Sequence, residues 1–365
     1  MLDSRLRKNL DILILIVTFI LLIMGEITLY SVTKHKPGHL YYKQVIWIIL
    51  GLIGTLVFAS FDYSRLFRLA KIIYTVNLLF LVAVFLVGSS AKGATRWISI
   101  GSFQMQPSEF AKLFVIICLA AYLVKRQEHI KKLPVLLGSF AYVGAPTLLI
   151  FKQPDLGTSL VLLLIWFGMV FIAGAQLKHL LLIILSGICL FTLMWKLNII
   201  KPYQKARLYS FVRPDLDPQD SGYHVIQSRI AIGSGMLWGK GIGKGTQAHG
   251  NFIPENQTDF IFTVVGEEGG FVESILLIIL YVILLVRGVN IMGQTEDSFG
   301  RLLAAGILSM YFFHIFVNIG MTIGIMPVTG VPLPFFSYGG SNMILNLCSI
   351  GLLLGIGMRR HRLAF

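Results

Sequence analysis

Charged residues are scarce in this chain. They make up 13% of its 365 residues, against 56% that are hydrophobic, and the mean hydropathy is +0.78. A soluble domain needs a charged surface around its core, so this composition excludes one. Cysteine is scarcer still, because Cys118, Cys189 and Cys348 are the only three and all fall within apolar runs. We therefore expect three unreactive thiols, with no disulfide and no zinc site.

Long apolar runs take the place of the missing charge. About 20 apolar residues cross the hydrocarbon core of a bilayer as a helix, whereas barrel strands give short alternating segments. Ten runs of this kind lie at residues 10–31, 44–60, 72–88, 110–124, 134–151, 157–173, 179–195, 260–286, 303–323 and 341–358. The first is too long for a signal peptide and lacks a cleavage site, so we expect a membrane helix there. The sequence predicts one all-α polytopic membrane domain over residues 1–365, with ten transmembrane helices.

Lysine and arginine predict how this domain sits in the membrane. In the short loops they concentrate on the side that carries both chain ends, which the positive-inside rule assigns to the cytoplasm. A long loop, about residues 196–258, then lies outside the cytoplasm before the eighth helix. The net charge of +14 is explained by cytoplasmic loops that face anionic lipid. Cations scattered through short loops argue against nucleic-acid binding.

The long loop is itself basic, which suggests an anionic ligand outside the cytoplasm. Its acids before the eighth helix are Asp215, Asp217, Asp220 and Glu255. Its more numerous cations are Lys196, Lys201, Lys205, Arg207, Arg213, Arg229, Lys240 and Lys244.

Acids are few, 17 in all, and Asp259 is the most informative of them. It closes the long loop and stands at the entrance of an apolar stretch, where an ionised group costs free energy unless it is solvated, paired or used. One interpretation is an acid that complements the dipole of the following helix. The other is a general base at the membrane surface, which the rest of the chain favours.

Three further ionisable residues are predicted at the outer helix ends. Glu109 and Lys112 are three apart on one helix face, so they form either a self-neutralising ion pair or part of a site. Asp155 is either an N-cap or a site residue. Such carboxylates offer only oxygen ligands, which favours Mg²⁺ or Mn²⁺ as the metal if one binds. No organic cofactor is expected.

The glycine-rich stretch 233–250 is not a phosphate-binding P-loop, because the Gly-Lys-Ser/Thr spacing and the preceding strand are absent. Its glycines are expected to permit tight turns and close backbone approach beneath a ligand, with Lys240 and Lys244 able to meet a phosphate. His314 and Asn318 are four apart and are interpreted as an interhelical hydrogen-bonding pair. Structural roles are the default for the acids that follow Asp259, which are Glu267, Glu268 and Glu273.

Several motifs in this order resemble the SEDS family (shape, elongation, division and sporulation proteins) of bacterial cell-wall polymerases. They are Gly93-Ala94-Thr95-Arg96-Trp97, Gln106-Pro107-Ser108-Glu109 through Lys112, Lys152-Gln153-Pro154-Asp155-Leu156-Gly157, Tyr223-His224 through Trp238-Gly239-Lys240-Gly241, Thr258-Asp259-Phe260-Ile261-Phe262, and Gly330-Val331-Pro332-Leu333-Pro334 through Ser341. The Lys-Gln-Pro-Asp and Gly-Val-Pro-Leu-Pro forms fit the elongation member better than the division paralogue. Asn256-Gln257 departs from the family, in which a basic residue and His often precede the Thr-Asp pair.

The resemblance implies a peptidoglycan glycosyltransferase of the bacterial cytoplasmic membrane that polymerises lipid II during cell elongation. It implies an active site that faces outward, an inverting transfer with Asp259 as general base, and substrate contacts from Glu109, Lys112, Asp155, Arg229, Lys240 and Lys244. The implied partners are lipid II, a class B penicillin-binding protein that crosslinks the product, and other membrane proteins of the elongation complex. The alternative is a lipid II flippase, although the polar groups concentrate on one face and no inverted repeat is apparent. A scaffold without activity would leave Asp259 and Lys112 unexplained.

Overall fold

The computed structural model describes residues 9–34, 40–91, 94–100, 103–197, 205, 211, 221–250, 252–253 and 255–360. Its helices are α1 (Ile12–Thr33), α2 (Leu40–Ser60), α3 (Ser64–Val87), α4 (Pro107–Val124), α5 (Leu133–Lys152), α6 (Leu156–Ile172), α7 (Leu177–Lys196), α8 (Ser221–Ser234), α9 (Thr246–His249), α10 (Ile261–Glu268), α11 (Gly270–Gln294), α12 (Ser298–Ile323) and α13 (Gly340–Met358). Three short strands are β1 (Ser89–Ala91), β2 (Ala94–Ile100) and β3 (Phe103–Met105).

The helical membrane architecture predicted from the sequence is confirmed. Among the described residues, nine helices are long and apolar enough to cross a bilayer, and α6 is an apolar helix of 17 residues. These ten helices run back and forth, so the bundle has two ends. We call them the terminal end, where α1 begins and α13 finishes, and the Asp259 end, where the loops before α4, α6 and α13 lie.

The predicted run 260–286 is not one continuous helix. It consists of the eight-residue α10 and the longer α11, which are separated at Gly269 and Gly270. Gly270 has φ +69°, a conformation that other residues rarely adopt, so the helix cannot continue through it without a break. With about 1.5 Å per residue, α10 is roughly 12 Å long and too short to cross a membrane. Asp259 therefore precedes a short helix at one end of the bundle rather than a membrane span.

A small antiparallel sheet, absent from the sequence prediction, closes part of the Asp259 end. Its strand order is β1-β2-β3, and it fills the connection between α3 and α4. Arg96 on β2 donates from Nε to the Gln153 carbonyl at 3.1 Å and also donates to the Pro154 carbonyl. Gln153 in turn donates to the Leu81 carbonyl of α3 at 2.9 Å. The sheet thereby fixes the α5–α6 junction, which carries Asp155.

Burial separates the central helices from the peripheral ones. In α13, 94% of the residues in an apolar stretch of 18 are buried inside the protein, whereas in α7 the figure is 6%. Leu180 is the one buried residue of α7, and the rest of that helix is exposed or half-buried. The core therefore forms around α4, α12 and α13, and these are the helices that supply the buried polar residues described below.

Candidate active site

Asp259 lies in a turn immediately before α10 and is half-buried. Its backbone carbonyl accepts a hydrogen bond of 2.8 Å from Asn318 Nδ2 on α12. Its carboxylate faces Gly330, where a Cβ atom would lie only 3.2 Å from Asp259 Oδ2. Gly330 also has φ +73°, so both the backbone conformation and the space beside the acid favour glycine there.

The segment that contains Asp259 is held against the loop 330–338 by hydrogen bonds that involve the backbone. Ser337 Oγ accepts from the Leu333 amide at 2.7 Å and donates to the Thr258 carbonyl at 2.6 Å. The Tyr338 amide donates to the Gln257 carbonyl at 2.9 Å. Asn318, buried on α12, binds the Val331 carbonyl as well as that of Asp259, both at 2.8 Å. Because many contacts fix this backbone, the direction of the acid is set before any ligand arrives.

Asp259 is recessed from the end of the bundle. Asn318 is five residues before the last residue of α12, which corresponds to about 7.5 Å along the helix axis. Asp259, which Asn318 contacts, therefore lies below the end of α12. A recessed, half-buried carboxylate is partly shielded from water, and that setting strengthens electrostatic interactions with a bound ligand.

Glu109 and Lys112 form the predicted ion pair on α4, with 2.9 Å between Lys112 Nζ and Glu109 Oε2. Both side chains are buried, and Lys112 is only 1% exposed. Lys112 Nζ also lies 3.2 Å from Nε2 of His314 on α12, and His314 Nδ1 lies 3.1 Å from the Pro332 carbonyl. His314 therefore joins the Glu109–Lys112 pair to the loop beside Asp259. The ion pair itself is shielded from solvent.

Asp155 is the N-cap of α6. Its Oδ1 accepts from the Thr158 amide at 3.2 Å, and its Oδ2 accepts from the Thr158 hydroxyl at 2.9 Å. Gln106 and Ser108, at the start of α4, donate to the same Oδ2 at 3.2 and 3.3 Å. The capping interpretation of Asp155 is thus confirmed, and the same carboxylate ties α6 to α4.

Lys240 is paired with an acid that the sequence had marked only as structural. Lys240 Nζ lies 2.7 Å from Oε1 of Glu267, a carboxylate with no exposed surface. Glu267 also accepts from the Gln247 and Ala248 amides at 2.9 Å, which belong to the first turn of α9 and have no partner within the helix. Burial raises the pKa of Glu267, but Lys240 and these amides outweigh burial and leave it below the ordinary value of 4.5.

The glycine-rich stretch packs its backbone directly on the end of α10, whereas its composition predicted a close backbone approach beneath a ligand. A Cβ atom at Gly235 or Gly239 would overlap the carbonyls of Gly266 and Glu268. The amides of Lys240 and Gly241 donate to the Glu267 and Glu268 carbonyls at 3.0 and 2.9 Å, so they satisfy the last turn of the short helix. Whether a ligand lies above these glycines stays a prediction.

Glu268 makes a second connection that the sequence analysis did not foresee. Its carboxylate accepts from Ser31 Oγ on α1 at 2.7 Å and lies 2.9 Å from His249 Nε2. Ser31 also accepts from the Gly243 amide at 3.0 Å. No local signal links Ser31 to Glu268, because the two residues are 237 positions apart.

Of the predicted substrate-binding cations, Arg229 and Lys244 are exposed, and Lys196 of the long loop, at the end of α7, is exposed as well. Arg229 lies beside Gly324, where a Cβ would be 3.1 Å from Arg229 Cδ. Lys244 belongs to the glycine-rich stretch, and the Nζ of Lys34 approaches the neighbouring Gly243. Of the other predicted cations of the long loop, Lys201, Arg207 and Arg213 lie outside the described residues.

The predicted carboxylates do not fit a metal ion in this arrangement. Among the residues that the structure describes, no three His, Cys, Asp or Glu side chains come together as metal ligands would. Glu109 is bound to Lys112, and Asp155 Oδ2 already accepts from three groups. A divalent ion stays a prediction, and no chemical step below passes through one.

The interhelical contact predicted for His314 and Asn318 is found for His314, which meets Lys112 on α4. Both residues also hold the loop 330–334, through the Pro332 and Val331 carbonyls respectively. The spacing had indicated that both lie on one helix face, but the partner loop comes from later in the chain. The three cysteines are free, as predicted.

Fold and site together define a class, namely a multi-pass helical membrane protein with a recessed acid held at one end of its bundle. The family FTSW_RODA_SPOVE, described as "Cell cycle protein", matches residues 6–362. The chain belongs to this family, which confirms the resemblance drawn from its motifs.

The relatives cover nearly the whole chain. The peptidoglycan glycosyltransferase RodA of Treponema pallidum is 34% identical over 97% of this chain and 98% of its own length. A probable peptidoglycan glycosyltransferase FtsW of a Geobacter species is 36% identical over 97% and 98%. A solved chain from "Structural coordination of polymerization and crosslinking by a peptidoglycan synthase complex" has a TM-score of 0.80 and 34% identity over 97% of this chain and 99% of its own length.

Proposed function

We propose that this protein is a peptidoglycan glycosyltransferase that polymerises lipid II during cell elongation. The observation that carries the proposal is Asp259, a recessed acid whose backbone is fixed by Asn318 and whose carboxylate faces Gly330. Relatives of nearly equal length and similar identity are named for this activity. Because those relatives include proteins named RodA and FtsW, the role in elongation rests on the motif forms described above.

The proposed reaction needs one base and one stabilised leaving group. Asp259 takes the proton from the 4-hydroxyl of a GlcNAc residue, and that oxygen attacks the anomeric carbon of the second substrate. A new C–O bond forms as the bond to undecaprenyl pyrophosphate breaks, and the electron pair leaves with the pyrophosphate. Attack from the opposite face inverts the anomeric carbon, so no covalent carboxylate intermediate is needed.

The pyrophosphate charge requires cations that a ligand can reach. Arg229 and Lys244 meet this requirement, because both are exposed at the Asp259 end. Lys240 is partly exposed but already bound to Glu267, and Lys112 is buried beside Glu109. We therefore assign direct pyrophosphate contacts to Arg229 and Lys244, and assign Lys112, Glu109, Asp155 and Lys240 to holding the site in shape.

The chemistry requires that the Asp259 end face outward from the bacterial cytoplasmic membrane, where lipid II is presented. The excess of cations in the loops at the terminal end supports this orientation. The proposed partner is a class B penicillin-binding protein that crosslinks the strands. The solved relative from a peptidoglycan synthase complex supports such a partnership, because its description joins polymerization with crosslinking.

Polymerisation of lipid II by purified protein tests the proposal. The assay combines the protein with a class B penicillin-binding protein whose transpeptidase serine is replaced, with and without EDTA, and detects glycan strands. Wild-type protein is expected to make strands and Asp259→Asn is not. Transport of lipid II across vesicles without strand formation would instead support the flippase alternative. Loss of strands on adding EDTA, with recovery on adding Mg²⁺ or Mn²⁺, would establish a metal requirement.

A further inference from the structure

We propose that His314 is a positioning residue for Asp259, and that Lys112 acts through it. The inference rests on the proposed function, because it explains how the acid assigned as base is held. Three consecutive residues of the loop beside Asp259 are each anchored by a different buried side chain. Asn318 binds the Val331 carbonyl, His314 lies at the Pro332 carbonyl, and Ser337 accepts from the Leu333 amide.

Two of these three anchors also bind the acid-bearing segment directly. Asn318 donates to the Asp259 carbonyl, and Ser337 donates to the Thr258 carbonyl. His314 differs, because its other ring nitrogen turns toward Lys112 at 3.2 Å. The middle of the loop is therefore tied to α4, while the flanking residues are tied to the acid. Displacement of Pro332 would move Gly330, two residues away, against the Asp259 carboxylate that it faces.

Hydrogen-bond chemistry fixes the form of His314. The Lys112 ammonium can only donate, and one of its hydrogen bonds goes to the Glu109 carboxylate at 2.9 Å. His314 Nε2 must then accept, which leaves the ring proton on Nδ1. The Pro332 carbonyl can only accept, so it accepts a hydrogen bond from this Nδ1–H, with 3.1 Å between the nitrogen and the oxygen. The ion pair thus selects the one neutral tautomer of His314 that can hold the loop.

Burial distinguishes this role from substrate binding. His314 and Lys112 are each 1% exposed, so neither reaches a ligand in this arrangement. A buried cation in a membrane protein is costly unless it is paired and used. Here Lys112 is paired with Glu109, and its use is to orient a histidine rather than to bind pyrophosphate.

The test compares two amide substitutions at one position. In His314→Asn the amide nitrogen lies near the place of Nδ1, so donation to Pro332 is retained. In His314→Gln the longer amide reaches toward the place of Nε2, so the contact with Lys112 is retained and the one with Pro332 is lost. We expect His314→Gln to lower kcat for strand synthesis by about tenfold or more with KM within about twofold, and His314→Asn to retain several times more activity. Ser309→Ala, on the same helix but bonded only to its own backbone, serves as the control and is expected to match wild type.

Equal activity of the two amide variants, or a raised KM with unchanged kcat, would overturn the proposal. Asp259→Asn is measured alongside: if it retains more than half the wild-type rate, the proposed base is wrong, whatever the His314 variants do. If Asp259→Asn is inactive and His314→Gln is normal, only the positioning role fails. A cycle with Lys112→Met adds a second check, because residues that act along one path give non-additive losses.

A measurement on the wild-type protein covers the case in which the His314 variants do not fold. Nitrogen-15 spectra of histidine-labelled protein in lipid vesicles report which ring nitrogen carries the proton. We expect a neutral ring protonated on Nδ1 that changes its signal in Lys112→Met. A ring protonated on Nε2, or one insensitive to Lys112, would contradict the assignment.

Discussion

Asp259 and Glu267 stand near opposite ends of the same short helix, and their surroundings are opposite too. Glu267 has no exposed surface and receives hydrogen bonds from Lys240, Gln247 and Ala248. Asp259 is half-buried, and its carboxylate faces Gly330. A carboxylate that is stabilised by several donors is a weak base, because protonation would cost all of those bonds. Glu267 therefore suits an anchor, whereas Asp259 is partly exposed and can be reached by a ligand.

The backbone around the two acids reverses this contrast. Asp259 is proposed to react through its side chain, but its backbone is fixed. Asn318 and Ser337 hold that backbone through main-chain carbonyls. Glu267 has a structural role, and its side chain holds the backbone of α9. In a catalytic site the support must therefore come through groups other than the reacting one. The following predictions test this division.

The largest effect is expected for Asp259→Asn, which removes the base while keeping size and shape. General base catalysis is typically worth about 10² to 10⁴ in rate, so strand synthesis from lipid II should fall by at least 100-fold. Glu255→Gln is the matched control, because the amide oxygen can still accept from the Thr258 hydroxyl as Glu255 does at 3.0 Å. Comparable losses in both variants would show that the loop as a whole, rather than Asp259, is required.

Gly330→Ala should lower the rate by roughly tenfold, because its Cβ would press on Asp259 Oδ2 and its φ of +73° disfavours alanine. Gly174→Ala is the control for backbone strain alone. Gly174 has φ +90° with open space around its Cβ position, and it lies in the α6–α7 connection at the terminal end. Both variants should lose thermal stability, but Gly174→Ala should keep its activity. An active Gly330→Ala would remove the argument that glycine makes room for the acid.

Lys240→Met and Lys244→Met should separate stability from substrate binding. Loss of Lys240 leaves Glu267 buried without its cation and should cost on the order of 1–3 kcal/mol, discounted because the Lys240 side chain is 26% exposed. Loss of the exposed Lys244 should leave the melting temperature unchanged, raise KM for lipid II and weaken the dependence of KM on salt. Thermal melts and initial rates at two ionic strengths measure both. The reverse pattern would assign pyrophosphate contact to Lys240.

The smallest expected effect is on thermal stability at acidic pH. Because the pKa of Glu267 is lower in the folded protein than its ordinary value of 4.5, its contribution to stability is complete above that value. The contribution is lost as the pH falls below about 4.5 toward the lowered folded pKa. The difference in melting temperature between wild type and Glu267→Gln should therefore shrink between pH 6 and pH 3.5. A constant difference would mean that Glu267 stabilises α9 without its charge.

The sequence predicted the membrane helices well because long apolar runs are a local signal. It did not predict the break at Gly269 and Gly270, since two glycines within an apolar stretch are also common in continuous membrane helices. The sheet between α3 and α4 was missed for a related reason. Its strands have three to seven residues, too few for a clear periodic pattern.

Contacts in the site were predicted where the partners are close along the chain and missed where they are far apart. The Glu109–Lys112 pair follows from a spacing of three, and the Asp155 cap from a local motif. The contact of Lys112 with His314 joins residues 202 positions apart, and no local sequence pattern predicts it. Residue types therefore drew attention to Lys112, whereas the packing of α4 on α12 decides that it meets His314.

The separation of α10 from α11 has a mechanical consequence. With Gly269 and Gly270 as a pivot, α10 is a lever roughly 12 Å long that carries Asp259 at its far tip. A turn of only about 10° at the pivot would swing that tip by about 2 Å, well beyond the roughly 0.5 Å tolerance of a catalytic group. The glycine-rich stretch grips this lever at the pivot, through the Glu267 and Glu268 carbonyls. A displacement of the glycine-rich stretch that turned α10 would therefore be larger at Asp259 than at the pivot, and the hydrogen bonds from Asn318 and Ser337 oppose such a turn.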